Sequence, residues 1–267
     1  MSSDPFAELK NRQREMWASF APTAMFTTPV AAHLVKFAGI TAGQSVLDVG
    51  TGTGVVAITA ARSGARVTAL DLTPELLEQA RENARIARHE GIVWTVGDAE
   101  QLPYPDASFD VVVSQFGHMF APRPQLAVAE MRRVLKPRGH IAFATWPPEH
   151  LVGRMFAFVG SHSPPPPEGA APPSLWGNPV VVADRLAKHF DLPFFERGTM
   201  AIPALSVAHL RVFMEHSVGP IQKLVERLTN EPAKLDAIRA EFEELVTPYY
   251  VDNIVHQSYL LTRAQAR

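Results

Sequence analysis

Val46 to Gly54 read VLDVGTGTG. An apolar run ends in three glycines separated by single residues, and an aspartate stands two positions before the first. The run reads as a buried strand. Glycines directly after it remove Cβ atoms, so backbone can approach a ligand closely. The first glycine-rich turn of an open α/β sheet is the usual binding point, outside the carboxyl ends of the strands. Two phosphate-binding patterns fit poorly. A dinucleotide turn, G-x-G-x-x-G, places its third glycine where Val55 stands, and a phosphate loop needs a lysine that does not follow here. The carboxylate of Asp48 repels a diphosphate and welcomes a cation.

Outward from this stretch, strand and helix patterns alternate. SVLDVG (45–50), ARVTALD (65–71), IVWTV (92–96), FDVVVSQ (109–115) and HIAFATW (140–146) read as strands. Helices are expected over 55–64, from Thr73-Pro74 to Gly91, and about QLAVAEMRRVLK, with Thr73 as N-cap. Such alternation means a parallel sheet with helices on both faces. Beyond it, the proline-rich SHSPPPPEGAAPPS (161–174) cannot be a helix or an inner strand and reads as an extended, lid-like insertion. A helix over 178–190, a strand over 193–204, helices from 206 to 247 broken at Pro220 and Pro232, and a last strand over 254–264 complete the chain. One domain (1–267) is expected. Residues 1–43 form an N-terminal cover, 44–146 the binding core, 147–192 the lid and its helix, and 193–267 the last strands with a helical cap.

Asp71 closes the second strand about 20 residues after the glycine loop, where an acidic side chain accepts hydrogen bonds from ribose hydroxyls. Leu72 beside it is placed to pack on an adenine face. A ligand with a nucleoside, an ammonium group and no phosphate fits these features. The D-x-G-x-G-x-G at 48–54 resembles the first motif of class I S-adenosylmethionine-dependent methyltransferases. The segments 102–120 and 130–146 resemble the small-molecule branch that includes the ubiquinone/menaquinone-biosynthesis enzymes. The resemblance is specific over about 10–146. It implies a Rossmann-like seven-stranded, mostly parallel sheet with the last strand antiparallel, and S-adenosyl-L-methionine as cofactor. It further implies that Asp48 lies near the methionine ammonium, that the backbone of Gly50, Thr51 and Gly52, with Gly54, forms the cradle, and that Asp98 and Ala99 meet the adenine. By the same resemblance Gln115 and Phe116 end the fourth strand against the sulfonium, and Trp17 with Phe20 covers the cofactor. Core packing is the alternative for these two aromatics.

Methyl transfer is an in-line displacement that needs no protein nucleophile. Position and a dry cavity supply most of the catalysis. His118, just after the fourth strand, is the candidate general base, and His150 stands after the fifth. The chain excludes several acceptors. SQFG (114–117) stands where nucleic-acid and glutamine methyltransferases carry [DN]-P-P-[YFW]. Cysteine is absent, which removes thiol-dependent methylation and disulfides, and no metal site is expected. The net charge of -2 advertises no nucleic-acid partner. No apolar run is long enough for membrane insertion, so a cytoplasmic protein is expected. A small, apolar or aromatic acceptor remains, with Phe156, Phe213, Trp176 and the prolines compatible with its pocket. The oligomeric state stays open, a homodimer included. Two other readings share the fold: an NAD(P)-dependent oxidoreductase and a non-catalytic cofactor-binding protein.

Overall fold

The computed structural model describes residues 4–267. Five apolar runs become the parallel strands β1 (Ser45–Val49), β2 (Arg66–Asp71), β3 (Val93–Val96), β4 (Phe109–Gln115) and β5 (Leu135–Thr145). Three later strands follow: β6 (Phe194–Pro203), β7 (Tyr250–Val251) and β8 (Ile254–Gln265). The sheet order is β3-β2-β1-β4-β5-β8-β6, with β7 paired to β8. β8 runs antiparallel to both β5 and β6. The expected seven-stranded arrangement is present. The two-residue β7 is an eighth strand, too short to leave a period in the sequence. β5 starts five residues before the expected HIAFATW. Leu135 pairs with Phe109, and a register shift then absorbs Pro137 and Gly139 before Val111 meets His140.

Ten α-helices are seen among the described residues: α1 (Ala7–Trp17), α2 (Ala24–Ala38), α3 (Val55–Arg62), α4 (Pro74–Ile86), α5 (Pro124–Val134), α6 (Leu151–Ser161), α7 (Pro179–Leu186), α8 (Val207–Ser217), α9 (Gly219–Leu228) and α10 (Pro232–Val246). Thr73 stands at the N-cap of α4, but its side chain makes no capping bond. Its N–H instead donates to Asp71 Oδ1 at 2.9 Å. Asn178 and Ser206 do cap, accepting from the first-turn amides of α7 and α8.

Strand order reverses between β1 and β4, and side-chain-free backbone closes that point. A Cβ on Gly50 would lie 2.7 Å from Gly117 Cα. Ser114 Oγ donates to Val49 O at 2.6 Å and accepts from His118 N–H at 3.0 Å, tying the ends of β1 and β4 together. Helices from the chain's start and from its second half then roof the crevice outside these strand ends. Opposite, the β6–β8 ladder has its own close fit. Gly198 pairs with Tyr259, and a Cβ there would fall inside the phenol ring. Gly198→Ala is expected to lower unfolding free energy by about 1–3 kcal/mol by overpacking, measured as a shift in the urea midpoint at unchanged slope.

Candidate active site

A cavity of about 260 Å³ opens at the reversal point. Its floor is built by the ends of three strands. From β1 and its loop come Asp48, Gly50, Thr51 and Gly52, from β2 Asp71 and Leu72, and from the loop after β3 Asp98 and Ala99. Gln115, Phe116 and His118 line it from β4, and Trp17 from α1. All but one of the residues assigned to the cofactor from the sequence are thus brought to one space. The exception is Gly54. It caps α3 at φ 83°, and a Cβ there would stand 2.8 Å from the Trp94 indole. It serves helix-against-strand packing and does not line the cavity.

The loop is held from below. Gly50 and Thr51 N–H both donate to Leu70 O, and Gly52 N–H donates to Asp71 Oδ2 at 2.7 Å. Asp71 therefore fixes the loop while keeping spare acceptor capacity, since a carboxylate offers about four lone-pair sites. Asp48 Oδ2 accepts from Thr51 Oγ1 at 2.6 Å, whereas its buried Oδ1 has no partner. Burial, with the neighbouring Asp71 charge adding to it, pushes the Asp48 carboxyl up to about 7. Burial also raises Asp71. Two carboxylates without a counter-cation make this floor attractive to a positively charged ligand.

At the other end the walls are apolar. Val152, Met155 and Phe156 come from one face of α6, and Leu210, Phe213 and Met214 from one face of α8, each at i, i+3, i+4 spacing. Phe116 has φ 60°, rare for a bulky residue, and stacks on Trp146 with ring centroids 3.7 Å apart. Phe156 and Phe213 meet the expectation drawn for them. Trp176 and the prolines of 164–167 and 172–173 do not line the cavity. Trp176 lies behind His118, ring centroids 4.6 Å apart. The proline-rich segment runs outside, tied by Ala171 N–H to Pro122 O.

His118 departs from the base expected of it. It is 1% exposed and packed against Phe143 and Trp176, and neither ring nitrogen has a partner. Burial, aided by the Arg185 charge, depresses its pKa to about 3. So weak a proton acceptor is unsuited to general-base work near neutral pH. His150 lies at the surface, 3.0 Å from Arg197 and outside the cavity.

The sequence reading missed Lys10. It shares a face of α1 with Gln13 and Trp17, and all three line the cavity. Its ammonium lies 2.6 Å from each of Asp4, Asp98 and Glu100. Burial opposes that charge, but the three carboxylates outweigh it and raise the lysine pKa. Arg123 completes the cluster against Glu100 and Asp4. α1 is thereby pinned to the loop carrying Asp98. Partners 88 and 90 residues apart leave no local signal in the sequence.

Against this geometry stand the likenesses to known proteins. A family profile described as a methyltransferase domain matches residues 47–143. A protein of Mycobacterium tuberculosis, named without a function, is 34% identical over 256 residues, covering 94% of this chain and 93% of its own. A demethylmenaquinone methyltransferase of Tropheryma whipplei is 42% identical over 106 residues, 40% of this chain and 43% of that one. The chain belongs to the class I S-adenosylmethionine-dependent methyltransferases. A crystal structure from Bacillus halodurans shares the fold, with TM-score 0.61 at 22% identity over 88% of this chain and 97% of that one. This methyltransferase has no helix, among the described residues, long and apolar enough to cross a membrane.

Lys10→Met in this enzyme leaves Glu100, whose side chain is 1% exposed, facing two other carboxylates with only Arg123 to offset them. A loss of about 3 kcal/mol in unfolding free energy is expected, read by denaturant titration, with Lys10→Arg recovering most of it.

Proposed function

We propose that this enzyme moves the methyl group of S-adenosylmethionine, by in-line displacement, onto a small apolar or aromatic molecule. The supporting observation is the division of the cavity. Its charged lining residues, Lys10, Asp48, Asp71 and Asp98, all lie at the nucleoside-and-ammonium end. The opposite end is walled by Phe26, Phe156, Phe213, Met214 and Ile202. A charged acceptor there would lose its hydration with no opposite charge to replace it.

The residues present fit the cofactor. The Asp48 Oδ1, without a partner among the described residues, is an acceptor for the ammonium, and Gly52, where a Cβ would meet nothing within 4 Å, leaves backbone bare in the same loop. Asp71 has lone pairs left that would accept from ribose hydroxyls, Leu72 and Ala99 would flank the purine, and Asp98 would accept at its edge. Lys10 fixes one oxygen of Asp98, and the Glu100 N–H fixes the other at 2.9 Å, so that carboxylate is already oriented. When bound, the sulfonium supplies an electrophilic methyl group. The chain's part is to hold the two reactants in line and exclude water, which alone accounts for large rate gains. Trp17, packed against Phe120 with ring centroids 4.8 Å apart and planes tilted by 56°, closes the roof. Phe116 and Gln115 stand between the two ends. His118 supports the floor by packing, not by proton transfer.

Three measurements test this reading. S-adenosylhomocysteine should bind by calorimetry in the micromolar range, and Asp71→Ala should weaken it by about tenfold or more, the loss of two hydrogen bonds. No binding at hundreds of micromolar would refute the cofactor assignment. Asp48, near 3.9 when unfolded and about 7 here, must ionise to pair with the ammonium. Its stabilising effect is present at low pH and lost as pH rises through 7, and a cationic ligand restores what is lost. Affinity should therefore rise by about tenfold from pH 6 to pH 8, and the rise should vanish in Asp48→Asn. Radiolabelled methyl transfer should proceed to neutral phenols and aromatic amines and fail with phenols that carry a carboxylate or a quaternary ammonium substituent.

A further inference from the structure

The acceptor end of the cavity is apolar but not featureless, since two amides stand in it. Gln115 ends β4 and Gln257 lies on β8, and both line the cavity. Register places them on one face of the sheet. Gln115 pairs with Ala144, and Ala144 pairs with Leu261. Leu261, Tyr259 and Gln257 then alternate by two along β8. Gln257 pairs in turn with Met200, another lining residue.

The Gln115 amide is oriented by chemistry. Its neighbour is the Thr27 carbonyl of α2, 3.1 Å away, which can only accept. The NH₂ must face Thr27, so Oε1 faces elsewhere, and this oxygen is buried without any donor. Gln257 is 4% exposed, and its side chain makes no hydrogen bond among the described residues. A buried amide oxygen without a donor, as on Gln115, is uncommon in folded chains, because it forfeits its bonds to water. A ligand that supplies the missing partners removes that cost. One lacking them leaves it in place, and for this reason polar pockets discriminate far more sharply than apolar ones.

We propose that Gln115 and Gln257 are specificity-determining residues that read a neutral hydroxyl or amino group on an otherwise apolar, aromatic-sized acceptor. Gln115 Oε1 accepts the hydrogen of that group, and Gln257 supplies the complementary amide bond. The inference rests on the cofactor assignment above and names the class of molecule the same cavity takes. It excludes carboxylates and phosphates, since among the described residues Lys10 is the one lysine or arginine lining the cavity, and three carboxylates already hold it. It also separates the acceptor from a plain hydrocarbon, which these amides would reject.

The test uses the full chain saturated with S-adenosylhomocysteine, saturation being checked by calorimetry for each variant. The probes are 2-naphthol, 2-methoxynaphthalene and 2-naphthoate, with binding followed by naphthyl fluorescence. Wild type should bind 2-naphthol at least fivefold more tightly than the methoxy compound, and should not bind the carboxylate. Gln115→Met and Gln257→Met should each shrink that preference, and together bring it within twofold while the methoxy compound binds as before. Either single variant suffices if the double variant does not fold. A preference that survives both substitutions overturns the proposal. So does equal binding of naphthol and its methyl ether by wild type, tight binding of naphthoate, or no binding of any probe to the loaded protein. Failure of wild type to take up S-adenosylhomocysteine would instead strike the cofactor assignment, and that is read before any naphthalene is added.

Discussion

Asp48 and Asp71 are two carboxylates held out of water at the ends of neighbouring strands, and no lysine or arginine among the described residues pairs with either. Desolvation makes each harder to ionise, and each charge raises the cost of the other. The fold tolerates this because one carboxylate is bound by backbone. Asp71 accepts from Gly52 and Thr73 and so builds the glycine turn. Asp48 keeps one oxygen without a partner. Everything above this floor follows from the imbalance: the bare turn that admits a ligand, the roof that keeps water out, and the demand for a positively charged guest. A diphosphate would meet two buried anions there, which is a stronger objection to a dinucleotide than glycine spacing alone.

Much of this was legible in the sequence because parallel strands buried on both faces are continuous apolar runs, and β1, β2 and β4 fall where those runs fall, while the half-exposed edge strand β3 is marked by its β-branched and aromatic residues. Turn residues then mark the strand ends, and ligand-facing residues sit at strand ends in this architecture. The failures have equally physical origins. Gly54 shares the spacing of Gly50 and Gly52, but α3 has begun there, so its missing Cβ makes room for Trp94 and not for a ligand. His118 follows the right strand, yet the Ser114 hydroxyl draws its backbone inward and buries the ring beneath Trp176. Lys10 and Gln257 depend on contacts across the whole chain. The proline-rich segment looks like a lid by composition, while the roof is made from amphipathic helix faces that any core-facing helix would also show.

The cavity's two halves come from different kinds of sequence. The charged half is a set of loops after β1, β2 and β3, compact along the chain. The apolar half draws on α2, α6, α8, α9 and the ladder between β6 and β8. Methyltransferases on this sheet can therefore exchange acceptors by altering the second group alone. The Tropheryma likeness covers only 106 residues, whereas the mycobacterial relative follows the chain nearly end to end. Relatives of the second kind are the ones whose acceptor chemistry is informative about this enzyme.

Phe116 shows how backbone strain and packing pull against each other. A phenylalanine in the left-handed region gives up conformational energy that a glycine there would keep. The return is an aromatic slab, Phe116 on Trp146, fixed in the cavity wall. A glycine at 116 would relieve about 1–3 kcal/mol of backbone strain but forfeit the packed ring on Trp146, worth about 3–5 kcal/mol, so the strained phenylalanine is held in place by its own stacking partner.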